Sequence, residues 1–510
     1  MADEMYAADE AEDKDEASTP ASKDKPVGPY QMDDEQLVKC INDWRKESAD
    51  ATREQRKWRL QDWKMYAGDQ WEEGDKERMQ AGKRPALTLN RILGIVAAVE
   101  GEERSNRQEI KVFGESAEDD PAAQGMNLIF KWIDDVGNGQ FHLSRQFKHG
   151  IVCGEGWIAP QFDRLDDPEG LIKLEWVDED EMFDDPLSTC PVSSDSRRTQ
   201  RAKMISEQEG EARWPGFREK VRQKAFKNGI PAETDGSGYR DIYSTPEDTK
   251  SPKIFDAKKK LWSVLGTWWY QIEPGWVMVD EKTNLLVELT DKEFEEAKET
   301  RKQEQLEHLR AVMSGEPMDA MFQPKMPQPL QAVQRPIKRM YQAFSAYDVL
   351  LAKNPSPLKK LKRSPYVPFR CIWDKVQKDW FGIVRSIVDP QRQHNVEQSV
   401  IIQLMQLMPK ASWMGPKGSF HNKAEWQTKI AMPGAMLEYN GTRGKPEPIP
   451  VPAIPRHLID MAFSRPEAMR AISGVNVELT GQRQGSDAGV VMEQRRKAAT
   501  TVLAPIFDNY

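Results

Sequence analysis

The chain has 510 residues with 73 Lys and Arg against 82 Asp and Glu, a formal net charge of −9 at pH 7. This acidic balance excludes a strongly basic nucleic-acid coat protein, and the length allows about three domains of roughly 150 residues each. Hydrophobic residues make up 38% and charged residues 30%, a polar composition that indicates exposed helices, long loops or surface buried between subunits.

The negative charge is concentrated at the N-terminus. The first 35 residues hold twelve acids and three lysines, whereas the other 475 residues hold 70 bases and 70 acids. A segment rich in Ala, Asp and Glu without periodic apolar positions cannot bury enough surface to offset its chain entropy. We therefore predict a disordered acidic arm over residues 1–36, and we interpret it as a solubilising tail without a partner.

Export and membrane insertion are not expected. The N-terminus has acids where a signal peptide needs a basic region, and no stretch approaches the roughly 18 apolar residues of a membrane span. The four cysteines lie far apart without a CxxC pair, which fits free thiols in a reducing cytoplasm. We therefore predict that the protein does not associate with a membrane.

The N-terminal half combines helical and strand-like patterns. Its helical segments repeat apolar residues every three or four positions, and its strand segments are short apolar runs bounded by polar turns. Asn90 is placed to cap the second helix. The predicted helices are 33–63, 92–101, 122–150, 202–213 and 217–228, the predicted strands are 110–113, 153–158 and 171–177, and 229–251 is a predicted loop.

The C-terminal half begins with a predicted β-meander. Residues 264–272 read as a strand, Pro274-Gly275 as a turn, and the runs up to residue 289 as a hairpin. The charged segment 290–310 is predicted to be a helix that lies in solvent or packs only in an assembly. Five prolines disfavour regular structure over residues 315–336.

A long helix is predicted from Asp389-Pro390 onwards, because proline is favoured in the first helical turn. Its apolar stripe is expected to be the buried face. The stripe consists of Val396, Val400, Ile401, Leu404 and Leu407. Ahead of this helix, the basic run from Lys353 to Arg363 could face phosphate, although a solvated loop is the preferred interpretation.

Clustered carboxylates give the one enzymatic hypothesis. Residues 178–185 contain six acids and follow Asp166 and Asp167. Closely spaced carboxylates can hold Mg²⁺, and paired metals stabilise phosphoryl displacement in many nucleases. Supporting residues are not evident, so a metal-dependent nuclease using residues 178–185 is kept as the alternative function.

Other catalytic signatures are absent from the sequence. The six histidines form no HExxH or HxxxH pair, which removes the sequence basis for a zinc site. The sequence contains no GxxxxGK[ST], GxSxG or GxGxxG motif, which argues against a nucleotide-driven motor, a serine hydrolase and a dinucleotide-binding domain. We therefore predict a protein that is not an enzyme and has no catalytic residues, no cofactor and no metal.

Four ordered stretches stand out over about residues 35–510. They are Arg84–Arg91 with Glu103–Arg107, then Trp176–Pro186, then Phe381–Arg385 with Asp389–Asn395 and Ser399, and finally Leu479–Gly481 with Gln494–Arg496 and Phe507–Asn509. Their order and spacing resemble the portal, or head-to-tail connector, proteins of tailed bacteriophages of the podovirus type.

The resemblance implies an α+β phage portal fold with a mixed α/β wing, a helical stem, a small β-containing clip and a helical channel or crown region, assembled as a ring. The expected division is 37–260 for the wing, 261–375 for a β-rich region with stem, clip and an insertion rich in Pro and Met, and 376–510 for the stem helix, channel-facing segment and wing or crown helices. Family members commonly continue past Phe507–Asn509 into a longer crown, whereas this chain stops at Tyr510.

The function implied by the resemblance is structural. Twelve identical subunits would form a ring at one capsid vertex of the virion, around a channel for double-stranded DNA. After assembly in the host cytoplasm with major capsid and scaffolding proteins, the ring would dock the terminase large subunit for genome packaging. It would then bind a head-completion or tail adaptor protein for genome retention and ejection. A non-catalytic scaffold without a central opening is a third hypothesis.

The resemblance also suggests which basic residues line the channel. Contacts with moving DNA should be weak and independent of sequence, because strong phosphate attraction would oppose translocation. The candidates for facing DNA are Lys410, Lys417, Lys423, Arg385 and Arg392, of which Arg385 and Arg392 could instead make subunit contacts. Arg495 and Arg496 are candidates for contacts between subunits, with nucleic-acid binding as the alternative.

Overall fold

The computed structural model is a mixed α/β protein, in agreement with the predicted class. The described part of the chain begins at Gly28, inside the segment predicted as a disordered arm, and residues 1–27 of that arm lie outside it. The structure describes residues 28–82, 84–107, 111–116, 118–163, 168–227, 255–256, 261–279, 286–313, 332–346, 348–358, 361–407, 413–430, 434, 436–449, 456–475 and 489–510.

Helices form most of the N-terminal and C-terminal parts of the described chain. They are α1 Asp34–Ala51, α2 Arg53–Ala67, α3 Glu73–Ala81, α4 Ile92–Ser105, α5 Asp120–Gly137, α6 Gly139–Cys153, α7 Glu207–Arg213, α8 Phe217–Lys227, α9 Asp291–Met313, α10 Ile383–Leu407, α11 Lys423–Lys429, α12 Arg456–Ser473 and α13 Gly489–Asn509.

Strands occupy the middle of the chain and a few short positions elsewhere. They are β1 Glu155–Asp163, β2 Leu171–Val177, β3 Met182–Asp184, β4 Arg198–Ser206, β5 Phe255–Asp256, β6 Leu261–Val279, β7 Leu286–Leu289, β8 Ala332–Ala346, β9 Val349–Pro355, β10 Val367–Arg370, β11 Ile372–Asp374, β12 Asp379–Phe381, β13 Trp413–Met414 and β14 Glu447–Pro448.

The strands form one large and one small antiparallel sheet, with two short strand pairs beside them. The large sheet has the order β3-β4-β6-β8-β9, with β5 and β7 also paired to β6, and the small sheet has the order β10-β1-β2. The predicted boundary at 260/261 falls inside the large sheet, because β4 pairs with β6 along its whole length. The division into wing, stem and clip remains a prediction.

Strand β6 corrects the predicted turn at Pro274-Gly275. The strand continues through both residues, and Pro274 lies opposite Pro336 of β8. On the other side of β6, pairing with β4 stops at Trp269 and pairing with β7 starts at Trp276. Proline is tolerated there because no neighbouring strand needs its missing N–H. The predicted hairpin between β6 and β7 is confirmed, as is the charged helix α9.

Three other local predictions were wrong. Residues 202–206 belong to strand β4 rather than to a helix, because they pair with β6. Described residues 111–113 form no strand. Residues 332–336, which were expected to be irregular, begin β8, while 314–331 and the whole predicted loop 229–251 lie outside the described residues.

The largest core surrounds helix α6. Phe147, Ile151 and Val152 of α6 are fully buried and pack with apolar residues from α2, α4, α10, α12 and α13. This core therefore joins segments from both ends of the described chain. It places α6 at the centre of the region that contains the four resembling stretches.

Helix α10 begins earlier than predicted. It starts at Ile383, and Pro390 lies inside it. The added turns contain Ile383, Val384, Ile387 and Val388, which are all buried in the core around α6. Burial of these apolar residues favours a helix that begins before Pro390. The local pattern alone would place this proline in the first turn of the helix.

Candidate functional site around helix α6

The first and third resembling stretches meet in a hydrogen-bond ladder. It links the extended segment 87–91 to α10, and Gln391 Nε2 also donates to Leu89 O at 2.8 Å. The backbone N–H groups of Leu87, Leu89 and Arg91 donate to Ser399 Oγ, Asn395 Oδ1 and Gln391 Oε1 at 3.0, 3.0 and 3.1 Å.

The ladder works because two repeats coincide. Alternate residues of an extended chain recur about every 6.6 Å, and residues four apart on an α-helix recur about every 6.0 Å. The mismatch of roughly half an ångström per rung is small enough for three rungs. Gln391, Asn395 and Ser399 are at most 1% exposed, so each rung satisfies a buried polar group.

The ladder overturns the predicted buried stripe of α10. Val396 is 42% exposed, Val400, Ile401 and Leu404 are only partly buried, and the side chain of Leu407 lies outside the described residues. Open backbone N–H groups on the extended segment require acceptors, so the polar residues of α10 take the inner face. Asn395 Nδ2 continues the network by donating to Gln70 Oε1 at 2.7 Å.

The second stretch reaches α6 through Glu179, a buried carboxylate. His149 Nδ1 lies 2.7 Å from Glu179 Oε2, and Trp63 Nε1 and Cys153 Sγ donate to Oε1 at 2.9 and 3.2 Å. Burial by itself would raise the pKa of Glu179, but the facing His149 holds that pKa below its usual value. Glu179 is therefore held as a charged partner of the helix.

The same stretch anchors a chain of buried ion pairs. Arg370 lies between Asp184 and Glu155, with its Nη2 2.8 Å from Asp184 Oδ2 and its Nε 3.1 Å from Glu155 Oε1. Arg59 Nη2 pairs with Glu155 Oε2 at 2.6 Å. Burial would raise the pKa of Glu155, yet Arg59 and Arg370 keep that pKa below its usual range. The chain ties α2 and β1 to β10.

These contacts involve acids of the segment 178–185, from which a nuclease site would have to be built. Within the described residues, no group of three or more His, Cys, Asp or Glu could hold a metal ion. Five of the six acids at 178–185 have structural partners. Asp178 accepts from the Asp180 N–H, Glu179 faces His149, Glu181 pairs with Arg201, Asp184 pairs with Arg370, and Asp185 pairs with Arg197.

The fourth stretch and the second part of the first also contact α6. Phe507 stacks on Phe147 with ring centroids 5.6 Å apart. Ser144 Oγ of α6 donates to Glu103 Oε2 at 3.3 Å, and Glu103 also pairs with Arg107. All four stretches thus have described residues on or beside α6, although Leu479–Gly481 lies outside the described part of the chain.

Comparison of the sequence with known protein families gives a match. The family of phage P22-like portal proteins matches residues 42–510. The chain belongs to this portal family. No curated protein sequence matches the chain. The match confirms the predicted podovirus-type portal family and spans every described element except the first few turns.

Membership of this family implies a general role for the protein. Portal proteins are structural proteins that form oligomeric rings and associate with the capsid vertex of the virion. Among the described residues of this portal protein, no helix is long and apolar enough to cross a membrane. The described residues of the four resembling stretches make contacts inside the subunit fold.

Two candidate channel residues make ion pairs within the subunit. Arg385 lies between Asp379, whose Oδ2 is 3.2 Å from its Nη1, and the buried Asp62, whose Oδ2 is 3.6 Å from its Nε. Arg392 Nη2 pairs with Glu72 Oε1 at 2.9 Å. Both side chains are partly buried, and their proposed role at the channel wall remains a prediction.

The other candidates lie elsewhere. Lys417 and Lys423 are both exposed in the segment 413–430. Lys410 lies outside the described residues, and Arg495 and Arg496 belong to α13 without described side chains. Their assignments also remain predictions.

The sequence analysis did not predict the structural role of the residues that link the elements of this site. Gln391, Asn395 and Ser399 have the four-residue spacing of one helix face, and that polar spacing could have revealed the ladder. Arg370 and Glu155 are 215 positions apart and gave no local signal. Only the pairing of β1 with β10 brings these two residues together.

Proposed function

We propose that this portal protein forms a twelve-subunit ring that conducts double-stranded DNA through one vertex of a phage capsid. The supporting observation is the family match over residues 42–510. In this proposal the ring serves genome packaging, retention and ejection. It docks the terminase large subunit first and a head-completion or tail adaptor protein afterwards, and it assembles with major capsid and scaffolding proteins in the host cytoplasm.

The charge distribution supports a conduit rather than a clamp. Beyond the first 35 residues the chain has equal numbers of bases and acids. Affinity for DNA grows with each phosphate that a Lys or Arg neutralises, so a neutral body favours weak contacts during translocation. The proposed channel contacts are Lys410, Lys417, Lys423, Arg385 and Arg392, and the proposed subunit contacts are Arg495 and Arg496.

Negative-stain electron microscopy with mass photometry on the same purified sample tests the proposal. We expect rings with a central opening and a mass near twelve times the 58.5 kDa of the chain. A monodisperse monomer under all assembly conditions would contradict the proposal. Oligomers without an opening would instead support a scaffold of another kind.

A further inference from the structure

Helix α5 has an apolar face that the described residues of the chain leave uncovered. Leu128, Ile129, Trp132 and Val136 recur at the spacing of one helix side and are 44–70% exposed. Helix α5 buries only Ala123 and Gly137. Monomeric proteins rarely expose so many large apolar side chains together. We call these four residues the α5 face.

The surroundings of the α5 face extend its apolar surface. The amide of Asn127 accepts from the Val112 N–H at 2.7 Å and donates to the Val112 carbonyl at 3.0 Å. These two hydrogen bonds fix the segment 111–114 against α5, and Phe113 in that segment is 83% exposed. The segment that carries Phe113 is therefore held in a fixed position beside α5.

A second uncovered apolar strip lies on α12. Met461, Ala468 and Ile472 follow the i, i+7, i+11 spacing of one helix side, and all three are exposed. The exposed Val502 of α13 lies beside the end of this strip, because a Cβ added at Gly474 would be 2.9 Å from Val502 Cγ1. We call Met461, Ala468, Ile472 and Val502 the α12 face.

The two faces lie on different helices of the subunit. Helix α5 packs on α6, α6 packs on α10, and α10 packs on α12. A closed ring with one subunit repeated by rotation needs two different complementary surfaces, one on each side of the subunit. The α5 face and the α12 face are two different apolar surfaces of this kind.

Charge complementarity supports a second copy of the chain as the occupant. Helix α5 carries three aspartates against one lysine, whereas α12 carries three arginines against two acids, with Arg465 already paired with Glu397 of α10. The net negative charge of α5 disfavours contact between two α5 helices and favours a partner helix without excess acids, such as α12. We propose that the α5 face of each subunit packs against the α12 face of the next subunit. This inference rests on the proposed ring.

The first test disrupts each face separately in the full-length chain. The α5 variant combines Ile129→Asp and Trp132→Asp, and the α12 variant combines Ala468→Glu and Ile472→Glu. Val376→Asp is the matched control, because Val376 is 91% exposed in a turn outside both faces. At equal protein concentration, mass photometry should show at least a tenfold loss of rings for each double variant and none for the control. Circular dichroism and thermal unfolding check that each variant is folded.

Mixing the two variants tests which faces meet. Each variant keeps the face that the other has lost, so an equimolar mixture can form a single intact contact. We expect a two-subunit species that chemical cross-linking captures only in the mixture, and no larger ring.

The outcomes separate this inference from the proposed function. Wild-type rings together with normal rings from either folded variant would overturn the α5–α12 contact and leave the ring intact. A folded mixture without the two-subunit species would also overturn the contact. Wild-type chain that never assembles would contradict both proposals.

Discussion

Helices α10 and α5 both pack on α6, but they differ in the side chains that they bury and in those that they expose. Helix α10 turns Gln391, Asn395 and Ser399 inward and leaves Val396 largely outside. Helix α5 buries almost nothing and leaves Leu128 and Trp132 in solvent. Polar groups thus complete the fold of one subunit, and apolar groups stay available for the proposed contact between subunits.

The contrast indicates how a ring subunit can divide its interactions. Buried polar partners fix the relative position of distant segments because each unsatisfied group carries a penalty. Exposed apolar faces add stability only once a neighbour covers them. The following three predictions test the first half of this contrast, which can be measured on folded protein without reference to DNA.

The largest expected effect comes from breaking the buried ion chain. Arg370→Met leaves Asp184 and part of Glu155 unpaired in the interior, which should lower the free energy of unfolding by about 3–5 kcal/mol. Arg78→Met is the matched control, because Arg78 pairs with Asp75 at the surface with 84% of its side chain exposed. The control should change stability by about 0–1 kcal/mol.

Urea unfolding followed by tryptophan fluorescence measures both Arg→Met variants, at one protein concentration because assembly shifts apparent stability. Equal urea midpoints for Arg370→Met and wild type would show that the buried chain contributes little. A large loss for Arg78→Met would show that the comparison with surface pairs is invalid.

A smaller effect is expected from the ladder. Asn395→Ala removes the acceptor of the Leu89 N–H and the donor to Gln70, which should cost about 1–3 kcal/mol. Val396→Ala at the next position is the control and should cost less than about 1 kcal/mol, because Val396 is 42% exposed. The same urea assay measures both, and a larger loss for Val396→Ala would restore the stripe predicted from sequence.

The sequence could predict much of the local structure around this site. Apolar periodicity predicted α4 and two helical segments, 33–63 and 122–150, where the structure has the pairs α1–α2 and α5–α6, and apolar runs predicted β1 and β2. The four stretches predicted the family, which the comparison confirmed.

The sequence could not predict the inner face of α10 or the ion chain. Local apolar spacing selects Val396, but the acceptors required by Leu87, Leu89 and Arg91 lie about 300 residues away in the chain. The start of α10 at Ile383 and the passage of β6 through Pro274 depend in the same way on distant neighbours. Such long-range partners override local preference.

The last expected effect concerns pH and the surroundings of Arg385. Asp62 is 1% exposed, and burial raises its pKa from 3.8 to about 7 despite the attraction of Arg385. Asp379 of β12 raises that pKa further, and Arg59 of α2 lowers it. Asp62 therefore keeps its proton in the folded chain over a range in which the unfolded chain has lost it.

The sign of the pH dependence follows from this difference in bound protons. Between about pH 4 and pH 7 the folded state binds more protons at Asp62, so this group lowers stability as the pH rises, by up to about 1.4 kcal/mol per pH unit. Asp62→Asn should remove that slope and make the variant more stable than wild type above pH 7. Urea midpoints at pH 5, 6, 7 and 8, at about 0.15 M salt throughout, measure the difference. Parallel curves for Asp62→Asn and wild type would mean that Arg385 already holds Asp62 ionised, and Arg385 would then belong wholly to the subunit interior.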